Sequence, residues 1–232
     1  MIQLRSANDR GHANFGWLNS YHSFSFGSYF DPQHMGFSHL RVINDDTVSP
    51  SAGFETHGHK DMEILSLVLQ GTIAHKDSTG NVETLPAGEY QLMSAGKGIY
   101  HSEFNASKNE TLKFLQIWIQ PNHLGGEPGY QQKAFGEEEG LTDIITPDGQ
   151  NGTLAIKQDM RLHQLILSEQ TQLTWQVDLK RRYYIHLIEG ELSLNDDTTM
   201  TAGDGAKIQS LEAINFTKLS QSRCKALLFD LI

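Results

Sequence analysis

The chain has 232 residues, a formal net charge of -10 and a charged fraction of 20%. This length is enough to bury a real core in one or two domains. Its eighteen Lys and Arg residues are scattered, which argues against direct nucleic-acid binding. Cys224 is the only cysteine, so no intrachain disulfide can form. The sequence has no signal-peptide pattern and no apolar run of about eighteen residues. We therefore expect a cytoplasmic protein that does not associate with membranes.

Strand signals dominate the first half of the chain. Residues 20–30 alternate, with His22, Phe24 and Phe26 on one face of a predicted strand. Turn signals such as Asp31-Pro32 separate the runs. Short strands at this density predict an antiparallel sandwich or barrel. The further strand-like runs are residues 38–44, 62–71, 72–78, 89–96 and 111–121.

The sequence texture changes after residue 125. Residues 126–152 are rich in Gly, Pro and charge, which predicts a linker or a long crossing loop. Strand-like runs then resume and continue to the end of the chain. The predicted organisation is an N-terminal β domain at 1–125, a linker at 126–152 and a C-terminal β domain at 153–232.

The two halves resemble distant copies of one unit. Each has an apolar strand, then Gly71 or Gly190, a polar strand, a turn and an Ala-Gly-acid step. The acidic residue of that step is Glu89 in the first copy and Asp204 in the second. Aligned on these features, the second copy has Gln176, Asp178, Phe216 and Lys218 where the first has His57, His59, His101 and Glu103. We expect chemistry in the first copy and a structural role for the second.

His57-Gly-His59 and His101-Ser-Glu103 are the main chemical signals of the chain. Residues two apart on a strand point to the same face of the sheet. Two such strands could deliver three imidazoles and one carboxylate to one point. This donor set suits a divalent transition metal with open positions, whereas magnesium or calcium would prefer oxygen ligands.

Glu63 competes with Glu103 for the carboxylate position, because it has the same parity as His57 and His59. Glu103 lies beside a candidate ligand, so we favour it as the ligand and expect Glu63 to orient a histidine N–H. His75 lies on a predicted strand without a nearby partner. His22 could line the mouth of a pocket, although a structural role is expected. The remaining histidines receive no role.

Four stretches resemble the pirin family of the cupin superfamily. They are GHANFGWLNSYHSFSFGSYFDP, GFSHLRVINDD, THGHKDMEILSLVLQGTIAHKDSTGN and LPAGEYQLMSAGKGIYHSEFN, which together cover nearly all of the first half. Gln91 stands where a standard cupin has its last histidine, and this departure is itself typical of pirins. The second half resembles the family only in a degenerate cupin texture.

The resemblance implies an all-β bicupin, with two tandem antiparallel β-barrels of the double-stranded β-helix or jelly-roll type. It implies one metal ion in the first barrel, held by His57, His59, His101 and Glu103. The metal of the family is usually iron, and Fe(II) is therefore expected here. Zinc, nickel, copper, manganese and cobalt remain possible because ligand type alone does not separate them.

Bacterial members that this chain resembles are associated with quercetin 2,3-dioxygenase activity. The implied reaction cleaves a flavonol with O2 to a depside and CO, with Glu103 as general base. Phe24, Phe26 and Met93 are candidate pocket-wall residues, and ordinary core packing is the simpler role for each. The alternative is a metal-containing regulatory protein, a transcriptional cofactor or metabolic-enzyme modulator, that acts through a protein partner. A monomer is expected.

Overall fold

The computed structural model describes all 232 residues. It contains strands, two short 3-10 helices at Ala7–Asp9 and Gln150–Gly152, and no α-helix. The all-β prediction is therefore confirmed. No helix combines the length and the apolar character that crossing a bilayer would require.

The strands are β1 Ile2–Arg5, β2 Gly11–Asn14, β3 Leu18–His22, β4 Leu40–Val48, β5 Gly53–His59, β6 Glu63–Gln70, β7 Thr72–Asp77, β8 Val82–Pro86, β9 Glu89–Ser94, β10 Ile99–Asn105 and β11 Leu112–Ile119. They continue with β12 Gly129–Ala134, β13 Gly140–Thr146, β14 Leu154–Ala155, β15 Arg161–Leu167, β16 Gln172–Gln176, β17 Arg182–Glu189, β18 Glu191–Leu194, β19 Thr198–Thr201, β20 Gly205–Gln209, β21 Ala213–Lys218 and β22 Cys224–Leu231.

Residues 11–136 and 156–158 form one compact unit, called here the histidine unit. It contains a seven-stranded sheet in the order β12-β9-β6-β11-β4-β3-β2 and a four-stranded sheet in the order β5-β10-β7-β8. Side chains from both sheets share one apolar cluster, which includes Val68 and Phe114 from the large sheet and Ile73 and Leu85 from the small one. Burial of these alternating apolar residues stabilises the two-sheet arrangement.

Residues 1–10, 137–155 and 159–232 form the second compact unit, called here the apolar unit. Its seven-stranded sheet has the order β1-β20-β17-β22-β15-β13-β14, and its four-stranded sheet has the order β16-β21-β18-β19. Ile185 and Leu228 from the large sheet pack in one cluster with Leu194 and Phe216 from the small sheet. Strand β1 joins this unit because it pairs with β20 along its whole length.

Matching strand orders support the internal repeat inferred from the sequence. The sheet neighbours β9-β6-β11-β4 of the histidine unit correspond in order to β20-β17-β22-β15 of the apolar unit. The small sheets correspond in the same way, with β5-β10-β7-β8 matching β16-β21-β18-β19. Phe216, which the repeat aligns with His101, is fully buried in the apolar cluster. An apolar side chain thus occupies the aligned position in the second copy.

Two regions differ from the elements predicted by sequence. The alternation over 20–30 predicts one strand, whereas β3 ends at His22 and a looped segment follows. Phe26 and Tyr29 form an isolated bridge around Gly27, whose φ of +57° favours glycine. The predicted linker at 126–152 contains strands β12 and β13, because its short alternating runs find partners in β9 and β15. Such pairing depends on residues distant in sequence.

Candidate metal centre

Strands β5 and β10 bring three imidazoles together. They pair antiparallel, with His57 opposite His101 and His59 opposite Ile99. The Nε2 atoms of His57 and His101 are 3.0 Å apart. The ring centroids of His59 lie 4.7 Å from His57 and 4.8 Å from His101. One ring nitrogen from each of the three lies within 4.8 Å of the others, so a single ion could contact all three.

A β-bulge interrupts the pairing of β10 with β5 beside the second pair, His101 and Glu103. The register between β10 and β5 shifts between His101 and Glu103, so Glu103 lies opposite Phe54. Gly53 lies opposite Phe104 just beyond the bulge. A Cβ atom at Gly53 would lie 2.3 Å from the carbonyl oxygen of Glu103 and 2.5 Å from Cα of Phe104. Only glycine permits this close approach of the two backbones.

The three imidazoles fit a divalent metal ion. Burial and the neighbouring charge of His57 lower the pKa of His59 to about 4 and that of His101 to about 3. Neutral imidazoles carry the lone pair that a metal requires. His59 Nε2 and His101 Nδ1 are buried and have no hydrogen-bond partner. His57 Nδ1 lies 2.8 Å from the carbonyl oxygen of Glu55, a contact that fixes its ring as in known metal sites.

Glu103 lies in a buried polar environment next to this group. Ser66 Oγ lies 3.5 Å from its Oε1, and Gln116 donates from Nε2 to its Oε2 at 3.3 Å. Burial, and then the charge of Asp46, raise the pKa of Glu103 to about 7. Glu103 forms a three-residue group with His75 and His101 rather than with the three histidines. His101 therefore belongs to both groups.

His75 has partners that the sequence reasoning missed. It lies opposite Glu103 in the pairing of β7 with β10. Its Nε2 is 3.2 Å from Oδ2 of Asp77, and its Nδ1 is buried without a partner. The expectation of no nearby partner was wrong because β7 pairs with β10, which places His75 opposite Glu103, 28 residues further along the chain. The available signal was the His75-x-Asp77 spacing, which places both side chains on one strand face.

Glu63 is directed elsewhere. It accepts a hydrogen bond from Ser94 Oγ at 2.8 Å and one from the backbone N–H of Lys157 at 3.3 Å. Its parity with His57 and His59 is broken at Asp61, whose φ of +51° lies in the left-handed region. Strands β5 and β6 consequently belong to different sheets. The hydrogen bonds of Glu63 hold the large sheet rather than a histidine ring.

A cavity of about 780 Å³ opens beside the histidines and includes His57 and His59 in its wall. Its aromatic lining residues are Phe15, Trp17, Phe26, Phe54, Phe104 and Trp118, and its polar ones include Ser20, His22, Asn44, Asp46 and Gln116. Of the three pocket-wall candidates only Phe26 lines the cavity, whereas Phe24 and Met93 are fully buried elsewhere. This size and mixed lining are typical of a small-molecule site.

Comparison with known protein families places the chain. Residues 3–119 match the Pirin model, and residues 144–231 match the model described as the quercetinase C-terminal cupin domain. The second match gives the class, a cupin fold. The chain belongs to the pirin family, as the resemblance in its first half indicated.

Full-length relatives agree with this assignment. A protein of Escherichia coli K12 named quercetin 2,3-dioxygenase is 48% identical over 231 residues, covering 100% of this chain and 99% of its own. The crystal structure of YhhW from Escherichia coli matches with a TM-score of 0.96 at 47% identity, covering 100% of this chain and 98% of that one. A second structure, of the bacterial pirin YhhW in complex with nickel(II), matches with a TM-score of 0.95 at 47% identity, covering 100% and 99%.

Proposed function

We propose that this protein is a metal-dependent dioxygenase of the pirin type, which cleaves quercetin-like flavonols with O2 to a depside and CO. The observation that carries the proposal is the convergence of three imidazoles beside an aromatic-lined cavity of about 780 Å³. The name and the nickel complex of the relatives at 47–48% identity support it. The atoms balance, since C3 of the flavonol leaves as CO with its own oxygen and both atoms of O2 enter the depside.

His57, His59 and His101 would hold the metal through ring nitrogens, and Glu103 would add the carboxylate. The donor set suits Fe(II), which is our proposed metal, while zinc, nickel, copper, manganese and cobalt would also bind such a site. The bound ion would supply Lewis acidity, which lowers the pKa of a phenolic hydroxyl.

Glu103 is proposed as the general base, and it would take the proton of the flavonol hydroxyl on one of its carboxylate oxygens. Its Oε2 accepts from Gln116, whose side chain also lines the cavity, so the carboxylate adjoins the substrate space. Burial keeps water away from the carboxylate. The rings of Phe26 and Trp118, 5.4 Å apart in an edge contact, would pack against the flat substrate.

We further propose that each unit closes as a cupin barrel, with the metal in the N-terminal one. The shared strand order of the two units supports this arrangement. The aligned Phe216 packs in an apolar cluster in the apolar unit, so we assign that unit a structural role.

The test is anaerobic loading of the metal-free protein with Fe(II), followed by O2 uptake and CO release in the presence of quercetin. We expect one CO for each O2 consumed, and loss of turnover in His57→Ala. His123→Ala, which changes an exposed histidine of a loop, is the matched control. Absence of turnover at full occupancy with each of the six metals would refute the proposed activity.

A further inference from the structure

The inner face of the large sheet carries polar side chains where a core would normally be apolar. Asn44 and Asp46 lie two residues apart on β4 and are both buried, at 2% exposure each. Ser20 and His22 lie opposite them on β3. All four line the cavity described above. We call this set of Ser20, His22, Asn44 and Asp46 the polar floor.

Most of the polar floor is internally hydrogen bonded. His22 Nδ1 lies 2.8 Å from Oδ1 of Asn44 and 3.4 Å from the hydroxyl of Ser20. The hydroxyl of Ser20 also hydrogen bonds to the carboxyl of Asp46. These contacts fix the side chains in place and leave the polar floor rigid.

Two buried polar atoms of the cavity wall have no partner. They are Oδ1 of Asp46, an acceptor, and Nε1 of Trp118, a donor. Leaving such atoms unsatisfied is costly, so unpartnered polar atoms in a cavity wall indicate where a ligand supplies the missing hydrogen bonds. Asp46 is not among the metal-ligand candidates, and its burial raises the pKa of its carboxyl to about 7.

We propose that the polar floor is a recognition site for a phenolic hydroxyl of the ligand, which donates its hydrogen bond to Oδ1 of Asp46. The proposal rests on the proposed function for the class of ligand, a hydroxylated flat aromatic. Aromatic side chains of the cavity wall pack against the plane of the ligand, while Asp46 accepts a hydrogen bond from a hydroxyl on its edge. Asp46 is thus a specificity-determining residue rather than a metal ligand.

The geometry also indicates why an unsubstituted ring would bind less well. A ligand without a hydroxyl at this edge would leave Oδ1 of Asp46 without a hydrogen bond. Sites built to hydrogen bond a ligand O–H reject analogues that lack it, because the buried polar group is then left unpaired. The cavity therefore distinguishes flavones by hydroxyl number as well as by shape.

The test measures binding by the metal-free protein, so that turnover is not needed. Trp17 and Trp118 line the cavity, so quenching of tryptophan fluorescence reports occupancy. The probes are 3-hydroxyflavone, galangin, kaempferol and quercetin, which add hydroxyls stepwise to one skeleton. We expect at least one added hydroxyl to tighten binding about tenfold or more in the natural protein.

Asp46→Ala should lose that step, and the isosteric Asp46→Asn, which keeps a weaker, neutral acceptor, should lose part of it, while the Kd of 3-hydroxyflavone changes less than about threefold. Asp45→Asn is the matched control, because Asp45 is the neighbouring carboxylate and lies on the opposite face of β4. Its Kd series should match the natural protein. After metal loading, the number of metal ions bound per chain, measured by elemental analysis, should be the same in all three variants as in the natural protein.

Three results would overturn the proposal. They are an equal change in all four Kd values in the Asp46 variants, no change in any of them, and no binding of any probe by the metal-free protein. Failure of the proposed dioxygenase activity would appear separately, as binding without O2 uptake in the metal-loaded protein. The two failures are therefore distinguishable.

Discussion

His57 and His101 lie directly opposite each other on paired strands, with their Nε2 atoms 3.0 Å apart. Two imidazoles at this distance share one hydrogen bond at most, whereas an ion bound by both would engage a lone pair of each ring. The register of β5 and β10 therefore positions the two rings, and a shift in that register would separate them.

Removing one member of this pair should weaken metal binding without unfolding the protein. We expect His57→Ala to lower the affinity for nickel(II) or zinc(II) by at least tenfold, because one of three imidazole donors is lost. His57 is partly exposed, so the change leaves little cavity in the core. Isothermal titration calorimetry of metal-free protein would measure the effect. Equal affinity in His57→Ala and the natural protein would exclude His57 as a ligand.

Gly53→Ala should damage the same site through the backbone. The added Cβ would meet backbone atoms of Glu103 and Phe104 at 2.3–2.5 Å, so β5 and β10 must separate beside the bulge. We expect a loss of about 1–3 kcal/mol in the free energy of unfolding and weaker metal binding. Urea unfolding and calorimetry would measure both.

Gly129→Ala is the control for Gly53→Ala, since a Cβ there has only Ser94 Cβ nearby, at 4.0 Å, and no positive φ. It should change the free energy of unfolding by less than about 0.5 kcal/mol. If Gly53→Ala proved equally harmless, the close approach of the two strands would not be a requirement of the site.

Asp204→Ala should destabilise the apolar unit. One carboxylate oxygen of Asp204 accepts from the backbone N–H of Ala7 at 2.6 Å, and the other accepts from the backbone N–H of Thr201 at 2.7 Å. Loss of this buried acceptor leaves two N–H groups unsatisfied, so we expect a cost of about 2–4 kcal/mol. Chemical denaturation would measure it. Asp197→Ala, at an exposed turn, should be nearly neutral, and similar costs for both variants would contradict the prediction.

His186 should make the stability of the protein depend on pH. Burial, with a smaller effect from the charge of Arg10, lowers the pKa of His186 from 6.5 to about 3 in the folded state. Between these values the unfolded chain binds the additional proton, so its contribution is complete above pH 6.5 and is lost as the pH falls towards 3. The slope for this residue is at most about 1.4 kcal/mol per pH unit.

Urea unfolding of the natural protein and of His186→Gln between pH 4 and pH 7.5 would check this dependence. The difference in free energy of unfolding between the two should grow with pH in this window and then level off. His123→Gln, which alters an exposed histidine, should show a constant difference. A constant difference for His186→Gln as well would contradict the prediction.

The sequence was sufficient to predict that His57, His59 and His101 lie close together, and to predict the all-β class and the repeat. Each of these depends on local spacing. Parity on a strand places His57 with His59, and the pairing of β5 with β10 is regular from His57 to His59. What could not be predicted depends on pairing between distant strands. The approach of His75 to Glu103 and the membership of β1 in the apolar unit are examples.

The polar floor is a second feature that the sequence pattern did not predict. Asn44 and Asp46 belong to a turn-like Asn-Asp-Asp run, which the sequence indicates as a break between strands. In the structure they are interior residues of the nine-residue strand β4. Polar residues inside a strand conflict with local propensity, and such conflicts concentrate at functional sites.

Asp61 has an effect that reaches beyond the metal centre. Its φ of +51° interrupts the two-residue alternation of inward and outward side chains between β5 and β6. The in-and-out order of the histidine pair is therefore uncoupled from that of the core strand that follows. Residues of β5 can therefore be exchanged without changing which residues of β6 are buried.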